Sequence, residues 1–242
     1  MNPVLIMRPF HVVEIKWETL DVFTLVLAPE HPQEMISFQA GQWVYLHFLA
    51  SDGTSAFRGA YSIASAPEES QHTVEFGVQV VGAFTKRLSK VMPGDVIGVQ
   101  GPFGVFTLRP EIVPQVYFAA GIGITPFRSM IRSLWLQKSS QNIHLLYSNK
   151  SIETTAYFFE LQALAREWTA LHMTCTLTQE LPKIWPGEQG RINREMLVRA
   201  LSDEVEGDYL ACGSASFMQD MRALLEERGV DVKKRYRIES FG

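Results

Sequence analysis

Apolar and polar positions follow two different periods in the two halves of the chain. In the first half, short runs rich in β-branched and aromatic residues predict strands over residues 11–17, 22–27, 43–48, 60–64, 73–80 and 95–99. Alternation is plain at Val74, Phe76, Val78 and Val80. Turn signals separate the runs, among them Ala28-Pro29, Ala40-Gly41, Asp52-Gly53, Ala66-Pro67 and Pro93-Gly94. Strands at this spacing predict a small antiparallel barrel, interrupted by one helical turn over 84–91.

From Gln115 onward strand and helix alternate. Strands are predicted over 115–119, 143–147, 171–177, 209–212 and 234–239, and helices over 125–137, 154–168, 193–201 and 216–228. That order predicts a parallel sheet with helices on both faces. The two prolines in 108–114 mark a linker, so the expected division is a barrel domain over 1–107 and an α/β domain over 108–242.

The first strand-to-helix turn of the second half reads Ala119-Ala120-Gly121-Ile122-Gly123-Ile124-Thr125-Pro126. Gly121 and Gly123 allow a backbone to approach a diphosphate closely, and the helix N-terminus offers free N–H groups and partial positive charge. Thr125 suits a cap or a phosphate contact, and Pro126 suits the first helical turn. Taken alone the segment reads equally as a tight turn, because the third position after Gly123 is Pro126 rather than the glycine of a full dinucleotide fingerprint.

Composition narrows the function classes. A net charge of −4 over 242 residues gives no reason to expect a nucleic-acid partner. Two cysteines, Cys175 and Cys212, are too few for a disulfide scaffold or a four-thiolate cluster, and no metal site is expected. No apolar run approaches the ~18 residues of a membrane span, so no membrane partner is expected and a cytoplasmic location follows by default.

Arg58-Gly59-Ala60-Tyr61-Ser62-Ile63-Ala64-Ser65 groups an arginine, a phenol and a hydroxyl. These can pair with a phosphate, cover an isoalloxazine face and hydrogen-bond near its reactive nitrogen. The same letters also suit an ordinary strand with a surface arginine. What identifies them is an ordered set: the R-x-Y-S-like segment, Gly82-Ala83-Phe84-Thr85-Lys86-Arg87-Leu88, Gly101-Pro102-Phe103-Gly104, the G-x-G-x-T-P turn, Cys212-Gly213 and Glu239-Ser240-Phe241-Gly242. This set resembles the ferredoxin–NADP reductase superfamily, including the FAD-containing reductases of multicomponent oxygenases, from about residue 8 to 242.

The resemblance implies a flavin-binding Greek-key barrel followed by an NAD(P)H-binding domain. Arg58 and Tyr61 match flavin-binding positions, and Ser62 matches the serine beside flavin N5. Gly82, Ala83, Phe84 and Thr85 match the loop that holds the flavin pyrophosphate; Lys86 and Arg87 read as a solvated helix face. Gly121, Gly123 and Thr125 match the NAD(P)H pyrophosphate loop, and Cys212 and Gly213 the turn beside the nicotinamide. Glu239 matches a carboxylate that shares a network with the serine, and Phe241 the aromatic that covers the flavin. Cys175 reads as a core residue. The proline that many relatives carry before the tyrosine is replaced here by Gly59-Ala60.

The implied activity is hydride transfer between NAD(P)H and flavin, with electrons passed to a separate ferredoxin, flavodoxin or oxygenase component. Ser62, Cys212 and Glu239 are the expected catalytic positions. FAD is preferred over FMN. After the second sheet strand, Ser148-Asn149-Lys150 offers a hydroxyl and a lysine and no carboxylate at the strand end, a slight lean to NADPH over NADH. Two other readings stay open: an NAD(P)H:flavin reductase that uses flavin as a dissociable substrate, and a flavin-bearing electron-transfer subunit of a larger complex.

Overall fold

The computed structural model describes residues 6–109, 113–201 and 207–240, and the chain divides into two compact units. One runs to Leu108 and includes Arg128–Ser133; the other comprises Arg109–Phe127 and Leu134 onward. Phe241 and part of the expected linker, residues 110–112, lie outside the described residues.

The first unit contains β1 (Arg8–Trp17), β2 (Val22–Pro29), β3 (Trp43–Leu49), β4 (Ser55–Ser62), β5 (Val74–Gln79), α1 (Ala83–Leu88) and β6 (Val96–Phe103). The strands form one antiparallel sheet in the order β4-β3-β6-β1-β2-β5. The sheet rolls up because the chain past β4 meets β5: Ile63 bridges Phe76, and the Ala64 N–H donates to the Glu75 carbonyl at 2.8 Å. Insertion of β6 between β3 and β1 makes the path a Greek key rather than an up-and-down meander. Phe10, Phe23, Leu25, Leu46, Ile63 and Phe76 are fully buried inside it. β4 begins five residues earlier than its apolar pattern suggests. The Asp52-Gly53 turn makes β3 and β4 a hairpin, so pairing from Leu49↔Ser55 recruits mostly exposed residues whose order shows no buried face.

The second unit contains β7 (Gln115–Ala120), α2 (Thr125–Leu136, whose middle is counted with the first unit), β8 (Ile143–Asn149), α3 (Phe158–Glu167), β9 (Leu171–Leu177), β10 (Glu188–Gln189), α4 (Arg194–Leu201), β11 (Asp208–Cys212), α5 (Ala215–Glu227), α6 (Val232–Arg235) and β12 (Tyr236–Glu239). Its sheet is parallel throughout, in the order β10-β9-β8-β7-β11-β12. Chain order reverses between β7 and β11, the switch point where open α/β sheets leave a crevice beyond the strand ends. β7 and β11 are apolar along nearly their whole length because both faces are covered; Tyr117, Phe118, Leu210 and Ala211 are fully buried. The expected helix over 154–168 starts only at Phe158. Ile152–Thr154 form a 3₁₀ turn and Tyr157 takes a left-handed φ of 59°, which breaks the helical path.

Candidate functional site

In the first unit the candidate residues gather on β4 and the α1 turn. Regular pairing sets Trp43 opposite Ser62, Tyr45 opposite Ala60 and His47 opposite Arg58. Because side chains alternate along a strand, Arg58 and Ser62 share one face of β4 and Tyr61 points to the other. Two residues separate Arg58 from Tyr61, where R-x-Y-S has one. This corrects the match of Arg58 to the arginine of that motif: Gly59 occupies the place two residues before the tyrosine, on its face. Gly59 is small for a reason, since a Cβ there would stand 2.9 Å from the Tyr61 ring and 3.3 Å from Phe84. The Arg58 guanidinium instead lies over the Tyr45 ring, 4.2 Å from its centroid, with no carboxylate partner among the described residues.

The Tyr61 ring stacks on Phe84, with centroids 5.8 Å apart and planes 25° apart. Its phenol is pushed well above the ordinary range by burial. Ser62 is buried, and its Oγ has no hydrogen-bond partner among the described residues. An orphaned buried hydroxyl costs stability unless something completes it, and a ligand nitrogen is such a partner.

Gly82 is extended and α1 starts at Ala83. Thr85 is spent locally: its Oγ1 accepts the N–H groups of Val81 and Gly82, each at 3.0 Å, and donates to the Gly82 carbonyl at 3.1 Å. The expected phosphate contact by its hydroxyl therefore becomes a brace for the loop. The donors left free by helix geometry are the first amides, those of Ala83, Phe84 and Thr85. Lys86 and Arg87 are exposed, as a solvated helix face would be, and the Arg87 guanidinium also lies 4.1 Å from the Phe48 ring centroid.

In the second unit, Gly121, Gly123 and Thr125 follow β7, and Cys212 and Gly213 end the adjacent β11. A Cβ on Gly123 would stand 2.3 Å from the Cys212 carbonyl oxygen and 2.9 Å from the Gly213 nitrogen. Gly121 has φ +53° and open space where a side chain would be. Tyr147, which sequence reasoning missed, anchors this turn: its buried hydroxyl lies 3.1 Å from the carbonyls of both Gly121 and Ala156. Thr125 turns its hydroxyl back onto the Ile122 carbonyl at 3.1 Å. Cys212 is register partner to Ala119 on one side and Glu239 on the other. Burial, with the Glu239 charge adding to it, raises the Cys212 thiol far above its ordinary range; burial also raises the Glu239 carboxyl. Cys175 is a buried core residue beside Phe158 and Leu177, its thiol pushed up by burial to about 12.

A pocket of 140 Å³ opens at the ends of β8 and β9 and the start of α5, lined by Ser148, Thr178, Arg191, Ser214, Ser216 and Asp220 among others. Lys150 is exposed and is not part of this lining. Arg191 is the cation there, 86% exposed and only 3.7 Å from Asp220. No periodicity marks it in sequence; the chain beyond β10 brings it in.

A barrel with an orphaned serine next in sequence to a stacked tyrosine, and a parallel sheet with a glycine turn at its switch point, are features of the flavin-binding and pyridine-nucleotide-binding domain classes. Residues 9–108 match the oxidoreductase FAD-binding domain and residues 118–223 the oxidoreductase NAD-binding domain. The chain belongs to the ferredoxin–NADP reductase superfamily. It is 30% identical over 240 residues to the glycine betaine monooxygenase reductase subunit of Pseudomonas aeruginosa, covering 95% of this chain and 63% of that one. It is 35% identical over 158 residues to ferredoxin–NADP reductase B of Sorangium cellulosum, covering 64% and 63%. The FAD/NAD-binding domain of nitric oxide dioxygenase from Vibrio cholerae superposes with a TM-score of 0.84 at 26% identity, covering 97% of this chain and 98% of that domain. The chain thus spans 63% of the length of these two curated relatives. No helix among the described residues is long and apolar enough to cross a membrane.

Proposed function

We propose that this protein is an FAD-dependent NAD(P)H oxidoreductase that passes electrons to a separate ferredoxin, flavodoxin or oxygenase component. The carrying observation is the buried Ser62 Oγ, a donor without a partner beside the stacked Tyr61. The residues present fit a flavin: Tyr61 supplies a ring face, Ser62 a donor, and Gly82, Ala83 and Phe84 an open loop leading to free helix amides. A flavin held there would supply the redox chemistry of hydride uptake and electron release.

The chain's own residues position and insulate. Residues 1–107 are the proposed flavin domain, and residues 108–242 the nucleotide domain. Ser62 would donate a hydrogen bond to the flavin ring, and Arg58 would meet a flavin phosphate on the Ser62 face. Gly121 and Gly123 let the backbone approach the nucleotide diphosphate at the start of α2. Cys212 and Gly213 shape the nicotinamide site; the thiol stays protonated and acts by packing, not as a nucleophile. Glu239 holds its proton more tightly than an exposed carboxyl does. Ser148 and Arg191 meet the adenosine ribose, with Arg191 supplying the charge that a 2′-phosphate needs, a role first given to Lys150.

One observation favours flavin as a dissociable substrate instead: Arg58 does not share the Tyr61 face and Thr85 is already satisfied, so the flavin tail has fewer side-chain partners. Anaerobic titration of the dialysed protein with NADH and NADPH in parallel separates the readings. A yellow protein bleached at lower NADPH than NADH is the expected result. A colourless protein that reduces only added flavin establishes the second reading, and one that neither holds flavin nor oxidises either nucleotide ends both.

A further inference from the structure

The outer edge of the parallel sheet is open. The Thr178 N–H donates to the Asn149 carbonyl at 2.9 Å, so the even-numbered residues of β9 turn their backbone toward β8. The Gly190 N–H donates to the Leu177 carbonyl at 2.8 Å, so the odd-numbered ones turn outward. β10 covers that outward side only at Thr176 and Leu177. Along residues 171–175 no other strand of the described chain pairs with it, and Met173 directs both its N–H and its C=O away from the sheet. The Leu171 N–H donates to the Trp168 carbonyl at 3.0 Å and the chain at Gly187 lies against the Cys175 carbonyl, so the unpaired edge centres on Met173 and runs roughly 10 Å, from the Leu171 carbonyl to the Cys175 N–H.

A groove of 510 Å³ runs beside that edge, between α3 and α4, with Trp185 at its rim. Phe158 and Trp185, ring centroids 5.9 Å apart, give it an apolar wall. Its remaining lining includes Arg166, Arg199, His144 and His172, and no aspartate or glutamate. Arg199 is held by Glu188 at 2.7 Å, whereas Arg166 meets only the Gln162 amide, at 3.0 Å. With Arg199 neutralised by Glu188, Arg166 is the cation of the groove lining that has no carboxylate partner among the described residues, a local feature in a chain of net charge −4.

We propose that this groove binds an extended acidic segment of a partner protein, which adds to β9 as a further strand. Main-chain pairing with Met173 supplies affinity, and alternate acidic side chains meet Arg166 and the histidines at the rim. The inference stands apart from the flavin and nucleotide sites and does not depend on them.

The test uses the full chain and a short capped peptide of alternating glutamate and valine, followed through Trp185 emission. Saturable binding is expected, with the signal removed by Trp185→Phe and the affinity lowered about tenfold or more by Arg166→Glu, an exposed change whose fold is checked by thermal midpoint. The same peptide methylated on alternate backbone nitrogens is expected not to bind. Absence of binding, equal binding of the lysine–valine counterpart, equal binding of the methylated peptide, or displacement by inorganic phosphate would each overturn the proposal, the last by showing a small-anion site.

Discussion

Gly123 rests against the carbonyl of Cys212 so closely that a methyl group on it would lie 2.3 Å from that oxygen. Two strand ends, β7 and β11, are thereby fixed in contact where the nucleotide is proposed to bind. Gly123→Ala forces backbone to move, and overpacking of this kind costs about 1–3 kcal/mol. Gly121→Ala meets no atom and bears only the strain of its left-handed φ, about 1 kcal/mol. Denaturant midpoints with isothermal titration of NAD(P)H check the pair. Gly123→Ala is expected to lose nucleotide affinity along with stability, Gly121→Ala to lose less of both, and the reverse ranking would sink the account.

Ser62→Ala deletes a buried hydroxyl that has no protein partner. Without flavin, stability is expected to stay level or rise by up to about 1 kcal/mol, because an unsatisfied group disappears. With flavin, single-turnover reduction by NAD(P)H is expected to slow while flavin stays bound. A less stable apoprotein would mean that the hydroxyl is satisfied within the fold.

Arg58 lies on the Ser62 face over Tyr45, free of carboxylates. If it reaches a flavin phosphate, Arg58→Ala lowers FAD affinity about tenfold or more and leaves riboflavin affinity unchanged. Fluorescence titration with both flavins reads this directly. Equal losses for both would place its role in packing on Tyr45.

Glu69, in the 3₁₀ turn Pro67–Glu69, is a pH-sensitive element of the first unit. Burial alone pushes its carboxyl up, but the Arg132 guanidinium at 2.8 Å, the Ala66 N–H at 2.8 Å and the Arg128 charge together hold it below the ordinary carboxylate value. Its folded value lies below its unfolded one, so its stabilisation is present above the ordinary range and is lost as pH falls through the folded value. Glu69→Gln is therefore expected to be less stable than wild type above about pH 5 and to converge with it in acid. Urea midpoints across that range test the convergence; a constant gap would contradict it.

The sequence by itself determined the two folding classes. Periods of two and of about 3.6 are consequences of local backbone geometry, and they are written in the order of apolar residues whatever the tertiary arrangement. The glycine turn was legible for the same reason, since Gly121 answers a local conformational demand, whereas the cysteine–glycine turn and the Gly82 loop were legible only through the family resemblance. Tertiary structure decided what depends on pairing and on distant chain. β4 gains Ser55 to Gly59 because β3 is its partner, and only once the strand extends through Arg58 does alternation send that side chain to the face opposite Tyr61. Tyr147 under Gly121, Arg191 at the pocket beside Ser148 and Asp220, and the uncovered edge of β9 likewise arise from through-space neighbours. A side chain's partner is set by the packing of the whole unit, and no period along one segment encodes it.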